Sequence, residues 1–129
     1  MVKNMIKKVF IVDDNELFSI ALEDYIKDKT QNEVLLFGTG EECVRHLVDG
    51  RPDVVILDYN LNSVEKDAAN GAQILEEIKK LDYSIHVIML SGQDAYGAAL
   101  QTITKGAEEY IVKDDESFDK IVRFLDSLS

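Results

Sequence analysis

The sequence predicts an α/β fold, a doubly wound (βα)5 sandwich built on a five-stranded parallel sheet. Five short apolar runs, rich in β-branched and aromatic residues, recur along the chain with little polar alternation. That is the pattern of strands covered on both faces. Helix-like segments separate the runs, and strand-helix alternation implies right-handed crossovers into a parallel sheet. The length of 129 residues fits one domain, taken as residues 1–129, and falls far short of the about 250 residues of a closed barrel.

The elements follow in order. Val9-Phe10-Ile11-Val12 is the first strand run, and Leu17, Ile20, Ala21, Asp24, Tyr25 and Asp28 mix an apolar stripe with acids at helical spacing. Val34-Leu35-Leu36-Phe37 is the second run, followed by a short helix over Glu42 to Val48. Val54-Val55-Ile56-Leu57 is the third. A helix carrying Ile74, Leu75, Ile78 and Leu81 comes after it. Val87-Ile88-Met89-Leu90 precedes a helix with Ala95, Ala98, Ala99 and Ile103. Tyr110-Ile111-Val112 is the last and shortest run, before a helix with Phe118, Ile121, Val122, Leu125 and Leu128. Glycines and Pro52 punctuate the joints. One joint is irregular: the polar stretch 59–70 is long for a strand-to-helix loop, where about 2–6 residues are usual, and long loops often carry function.

Composition narrows the function. The 14 Lys and Arg stand against 25 Asp and Glu, a net charge of −11, with 46% apolar residues. That apolar share argues against disorder. The acidic balance argues against direct nucleic-acid binding and against an anionic membrane surface, and suits basic protein patches or metal cations. A single cysteine, Cys43, allows no internal disulfide. No signal peptide and no membrane span are legible, so a cytoplasmic location is expected.

In an open parallel sheet, ligands bind beyond the carboxyl ends of the strands. Asp13 and Asp14 follow the first run, Asp58 the third, Ser91 and Gly92 the fourth, and Lys113 the fifth. Three carboxylates brought together repel unless a cation neutralises them. Mg²⁺ suits a site with few carboxylates, retained waters and a phosphate oxygen. A carboxylate can itself attack phosphorus, provided the charge on the transferred oxygens is held. Asp58 as nucleophile, Asp13 and Asp14 for the metal, and Lys113 and Ser91 for the phosphoryl oxygens fill these roles. Asp14 or Asn15 alone could simply cap the first helix, Ser91-Gly92 alone is ordinary turn material, and Lys113 alone could be a solvated lysine. The case rests on the set.

These residues carry a family resemblance. Val12-Asp13-Asp14-Asn15, Ile56-Leu57-Asp58, Leu90-Ser91-Gly92 and Lys105-Gly106-Ala107-Glu108-Glu109-Tyr110-Ile111-Val112-Lys113, in that order, make the chain resemble a response-regulator receiver domain of two-component signalling, single-domain and chemotaxis-regulator-like, with a flavodoxin-like fold. The resemblance implies that Asp58 accepts a phosphoryl group from the phosphohistidine of a histidine kinase or phosphotransfer protein. It implies Mg²⁺ held by Asp13, Asp14, Asp58 and the backbone carbonyl of Asn60. It further implies Ser91 and Tyr110 as a switch pair, with the surface of the fourth helix, fifth strand and fifth helix changing to alter binding of a downstream protein. Such a domain is a signalling switch that assists its own phosphorylation and dephosphorylation, not an enzyme in the usual sense.

Three departures stand out. Leu61-Asn62 replaces the family's Met-Pro pair after the acceptor. Gly71 comes 71 − 58 = 13 residues after Asp58, later than is common, with the extra residues around Ser63 to Asn70. Asp114 replaces the Pro that often follows the lysine, which leaves the aim of Lys113 open. The alternatives are a small Mg²⁺-dependent phosphohydrolase with an Asp nucleophile, an FMN carrier on the same fold, or an inactive receiver serving as a binding module. The first wants Asp-x-Asp after strand one, and the second wants a phosphate loop where Asp13-Asp14 would repel phosphate. Elsewhere the reading is plain. Cys43 is a small core residue, and His46 and His86 have no acidic or cysteine partner at ligand spacing. Asp114-Asp115-Glu116 favours the start of the last helix, and Glu76-Glu77-Lys79-Lys80 is a solvated face.

Overall fold

The computed structural model describes residues 6–62, 66–92 and 96–128. Within them, β1 (Lys8–Val12), β2 (Glu33–Phe37), β3 (Val54–Asp58), β4 (His86–Ser91) and β5 (Glu109–Val112) alternate with α1 (Glu16–Lys29), α2 (Gly40–His46), α3 (Gly71–Leu81), α4 (Tyr96–Thr104) and α5 (Ser117–Ser127). The sheet is wholly parallel, in the order β2-β1-β3-β4-β5. This is the expected doubly wound sandwich, with β1, β3 and β4 central. Asp58 and Ser91 are the last residues of their strands rather than the first of the loops.

The central strands alternate between two cores, as the two-residue period of a strand requires. Phe10, Val12, Val55, Leu57, Val87 and Met89 face α2 and α3, where Cys43, Leu47, Ile74, Leu75 and Ile78 meet them. Val9, Ile11, Val54, Ile56, Ile88 and Leu90 face Leu22, Ile26, Ile121 and Leu125 of α1 and α5. Each large side chain removed from water in this way contributes about 1.5–3 kcal/mol before ordering costs are set against it. Cys43 is fully buried, as expected of a core residue.

Several expectations are corrected. The buried face of α1 is Ser19, Leu22 and Ile26, while Leu17 and Ile20 are 80% and 48% exposed. The helix is rotated so that Phe18 and Tyr25 meet Phe118 of α5, with ring centroids 5.6 and 5.4 Å away. In α4, Ile103 is exposed and Thr102 is buried, its hydroxyl donating to the Ala98 and Ala99 carbonyls. Ala95 lies outside the described residues. Lys79 is not on a solvated face. It is buried, and Nζ donates to the Ile85 carbonyl at 2.5 Å and the Tyr83 carbonyl at 3.2 Å, 3.6 Å from Glu108. The rest of that face is exposed or half-buried, with Glu76 paired to Lys105. His86 has an acidic partner, Nδ1 lying 2.7 Å from Glu108. β2 lies at the sheet edge, so Leu35 is 43% exposed rather than covered.

Helix starts are chemically specified. Asn15 caps α1 by accepting from the Phe18 N–H, Thr39 caps α2, and Asn70 with Gln73 forms a reciprocal capping box on α3. At α5 the acidic run acts differently from a cap. Glu116 makes no capping bond, and Asp114 instead accepts from the Glu116 N–H and the Ser117 hydroxyl.

The stretch 59–70 closes on itself. The Gly71 N–H donates to the Tyr59 carbonyl at 2.9 Å. A Cβ on Gly71 would lie 2.4 Å from the Asp58 carbonyl oxygen and 2.7 Å from the Tyr59 Cα. Glycine therefore lets α3 begin against the backbone at the end of β3. Leu61 is fully buried in the first core and Ala69 donates to Glu41, so the described flanks of the excursion are tied down. Ser63 and its two successors fall outside the described residues.

Candidate functional site

Sheet register brings the carboxyl ends of four strands into one line. Val12 pairs with Leu57, Asp58 with Leu90, and Ser91 with Val112. Asp58 and Ser91 are thus at paired strand ends, Asp13 and Lys113 one position beyond, Asp14 and Asn60 two positions beyond, and Tyr110 within β5. Backbone bonds fix the exits: Tyr59 N–H to the Leu90 carbonyl at 2.8 Å, Lys113 N–H to the Ser91 carbonyl at 2.8 Å, and Asp13 N–H to the Phe37 carbonyl at 3.1 Å.

The side chains converge accordingly. Asp13, Asp14 and Asp58 each bring a carboxylate oxygen within 4.8 Å of the others, the one such grouping among the described residues. Lys113 Nζ lies 2.8 Å from Asp13 Oδ2 and 3.6 Å from Asp58 Oδ1. It also sits 4.3 Å from the Phe18 ring centroid, so the aromatic face of α1 steadies the ammonium. No described peptide bond is cis. With Asp114 in place of Pro, Lys113 still reaches both acids. Asp13 Oδ1 accepts from the Asn15 N–H at 2.8 Å, and Asp58 Oδ1 from the Asn60 N–H at 3.3 Å.

The electrostatics are those of an overcharged pocket. Asp13, Asp58 and Ser91 are all but excluded from water. Asp13 and Asp58 share the Lys113 ammonium, and Asp14 adds a third carboxylate to the cluster. Burial first, and then the charge of Asp13, push the Asp58 carboxyl up to about 7, against the pull of Lys113 and the Asn60 N–H. The donor set is all oxygen and carries three carboxylates. It therefore fits a hard cation such as Mg²⁺ and does not fit zinc or copper, which favour nitrogen or sulfur. Asn60 follows Tyr59 on the rim of an open cleft of about 490 Å³ above the acids.

Ser91 closes β4 beside Asp58, with its carbonyl committed to Lys113. Tyr110 is half-buried in β5, paired with Met89 and packed against the first core. A groove of about 660 Å³ between β5 and α5 opens beside it. Sequence reasoning missed Phe18, which lies on α1 rather than at a strand end. It also missed Asn62 and Lys66, which reach the cleft from the long excursion. Asp-and-Lys spacing carries no signal for either. It named Gly71 only as displaced, and the close approach to Asp58 explains why glycine is retained there.

Among the described residues no helix is long and apolar enough to cross a membrane. Comparison with known proteins places this geometry. The chain is 32% identical over 108 residues to the chemotaxis protein CheY of Thermotoga maritima, covering 83% of this chain and 85% of that protein. It is 29% identical over 119 residues to the chemotaxis protein CheY of Listeria monocytogenes, covering 92% and 95%. The fold superposes on a CheY-like response regulator receiver domain protein of Methanospirillum hungatei with a TM-score of 0.83 at 21% identity, covering 96% of this chain and 94% of that one. The family model described as the response regulator receiver domain matches residues 9–124, and with nearly the whole sheet, four helices and most of α5 inside that match, the chain belongs to the receiver domains of two-component response regulators.

Proposed function

We propose that residues 1–129 act as a single receiver domain in which Asp58 accepts a phosphoryl group from the phosphohistidine of a histidine kinase or phosphotransfer protein. One observation carries the reading: Lys113 reaches Asp13 and Asp58 at once across the strand ends, within the three-acid cluster. An Asp58 carboxylate oxygen forms the new O–P bond as the donor's P–N bond breaks, and the imidazole leaves with the bonding pair. Lys113 and the Ser91 hydroxyl take the charge on the transferred oxygens. Asp13, Asp14, Asp58 and the carbonyl of Asn60 would hold Mg²⁺, which when bound neutralises the acids and the phosphoryl oxygens.

In this reading the acyl phosphate draws Ser91 toward it, and Tyr110 follows into the space released. The surface formed by α4, β5 and α5 then binds a downstream protein differently. The domain works in the cytoplasm, without direct nucleic-acid contact and without membrane insertion. The acidic surface suits a basic patch on the partner.

Intact-protein mass after incubation with acetyl phosphate and Mg²⁺, beside Asp58→Asn, tests the proposal. A gain of one phosphoryl group that needs both Mg²⁺ and Asp58 is the expected result. No gain in a folded protein would point to an inactive receiver that serves as a binding module. Continuous release of phosphate from a phosphomonoester would instead favour a phosphohydrolase.

A further inference from the structure

The Lys113 ammonium meets Asp13 Oδ2 at 2.8 Å, Asp58 Oδ1 at 3.6 Å and the centroid of the Phe18 ring at 4.3 Å. The two acids alone define its place poorly. A lysine is a point charge on a long flexible stem, without the planar fork that gives arginine its direction. The ring supplies a third contact from α1, and its negative face attracts the ammonium.

Phe18 is itself held twice. Its N–H donates to Asn15 Oδ1 at 3.1 Å, and the Asn15 N–H donates to Asp13 Oδ1 at 2.8 Å. The contacts close a circuit: one oxygen of Asp13 leads through Asn15 and Phe18 to Lys113, and Lys113 returns to the other. The ring also meets Phe118 of α5 edge-on, the centroids 5.6 Å apart and the planes at 73°. Phe118 lies 5.4 Å from the Tyr25 ring, whose hydroxyl donates to Asp119. Packing α1 on α5 needs only an apolar side chain here. An aromatic face toward an ammonium is a narrower requirement.

We propose that Phe18 is a positioning residue for phosphoryl transfer. Its ring keeps the Lys113 ammonium between Asp13 and Asp58, where the transferred oxygens arrive. Phe18 forms and breaks no bond and touches no reacting atom. It acts through Lys113, by confining a flexible cation before the reaction rather than during it. This role rests on the proposed function, in which Lys113 serves phosphorylation of Asp58.

The test is single-turnover phosphorylation of the full chain by acetyl phosphate with Mg²⁺, followed by intact-protein mass. Phe18→Leu keeps apolar bulk and removes the ring, and should slow the reaction at least about fivefold. A difluorinated phenylalanine at position 18 keeps the ring's shape but weakens its negative face. It should slow the reaction at least about twofold, and it carries the test if Phe18→Leu loosens the fold. In a Lys113→Gln background, neither change should slow the reaction further, because the partner it acts through is gone. Equal slowing with and without Lys113, or an unaltered rate with the fluorinated ring, would overturn the assignment. A second measurement needs no phosphate. In chelator, the Lys113 Cε proton signals should lie upfield, shielded by the ring face, and return toward the ordinary lysine position in Phe18→Leu. Ordinary positions in the unaltered chain would overturn the contact itself. Shifted signals in a chain that takes up no phosphoryl group would instead overturn the proposed function, and the rate effect with it, while the placing of Lys113 by Phe18 stands.

Discussion

Replacing Asp58 with asparagine should make the metal-free protein more stable, although it removes the proposed acceptor. The carboxyl is held at about 7 in the folded chain, against 3.8 for an ordinary Asp. The folded state therefore binds a proton that the unfolded state has released across that interval. Stability of the wild type falls as pH rises from the unfolded value through the folded one, because there the native state binds more protons than the unfolded state. A difference of about 3 pH units corresponds to about 4 kcal/mol of destabilisation once Asp58 is fully ionised. Asparagine keeps the shape and can still accept from the Asn60 N–H, but Lys113 loses one of its two acids. A net gain of about 2 kcal/mol above pH 8 is therefore expected. The assay is urea denaturation in chelator at about pH 5.5 and about pH 8.5. The advantage of the variant should widen by about 2 kcal/mol between them, since only the portion of the interval above the lower pH contributes. Mg²⁺ at roughly ten to a hundred times its dissociation constant should restore about 1.4–2.7 kcal/mol to the wild type and much less to the variant. A variant no more stable than the wild type at the higher pH, or an advantage independent of pH, would refute the charge-crowding argument.

Three further changes test separate parts of the molecule. Gly71→Ala places a methyl group against the Asp58 carbonyl and the Tyr59 backbone. It should cost about 1–3 kcal/mol, read by thermal denaturation, and should also slow phosphorylation by acetyl phosphate. Lys113→Gln removes the ammonium between Asp13 and Asp58. Single-turnover mass spectrometry should show phosphorylation slowed by about a hundredfold or more, with Mg²⁺ binding retained. Lys79→Met leaves the Ile85 and Tyr83 carbonyls without their shared donor. A loss of about 1–3 kcal/mol is expected in urea denaturation, with phosphorylation unaffected.

The parallel sheet was legible because β1, β3 and β4 are buried on both faces, and such strands are written as unbroken apolar runs. The acids and the lysine were legible for a related reason. Sheet register places the residue after each run at the same edge, so a one-dimensional rule reproduces a three-dimensional cluster. Helix faces were less readable. In α1 the apolar residues Leu17 and Ile20 lie outside and Ser19 inside, because the packing of Phe18 and Tyr25 on Phe118 sets the rotation, and that partner is far along the chain. Lys79 was misread for the opposite reason. Its charge suggests solvent, but its long stem lies within the fold and its ammonium finds the Tyr83 and Ile85 carbonyls in the turn between α3 and β4. Phe18 and Lys66 reach the site from positions that no strand-end rule inspects.

The long excursion after β3 need not disturb the chemistry, and its described ends explain why. The Tyr59 carbonyl receives the Gly71 N–H, and Gly71 packs directly on Asp58. The end of β3 and the start of α3 are therefore held at fixed distance whatever lies between them. Loop-closure entropy grows only slowly with length, about 0.6 kcal/mol per doubling, so a longer connection is thermodynamically tolerable. Leu61 anchors the outgoing limb in the core, and the Asn70–Gln73 capping box fixes the incoming one. What the added residues change is the rim. Asn62 and Lys66 border the cleft above Asp58, adding a cation on the side from which, under the proposed function, a phosphoryl donor would approach. Under the proposed function, an extension that spares the strand end while recharging the entrance would act on the approach of the donor and of water, and the transfer itself would stay with Asp58, Lys113 and their neighbours.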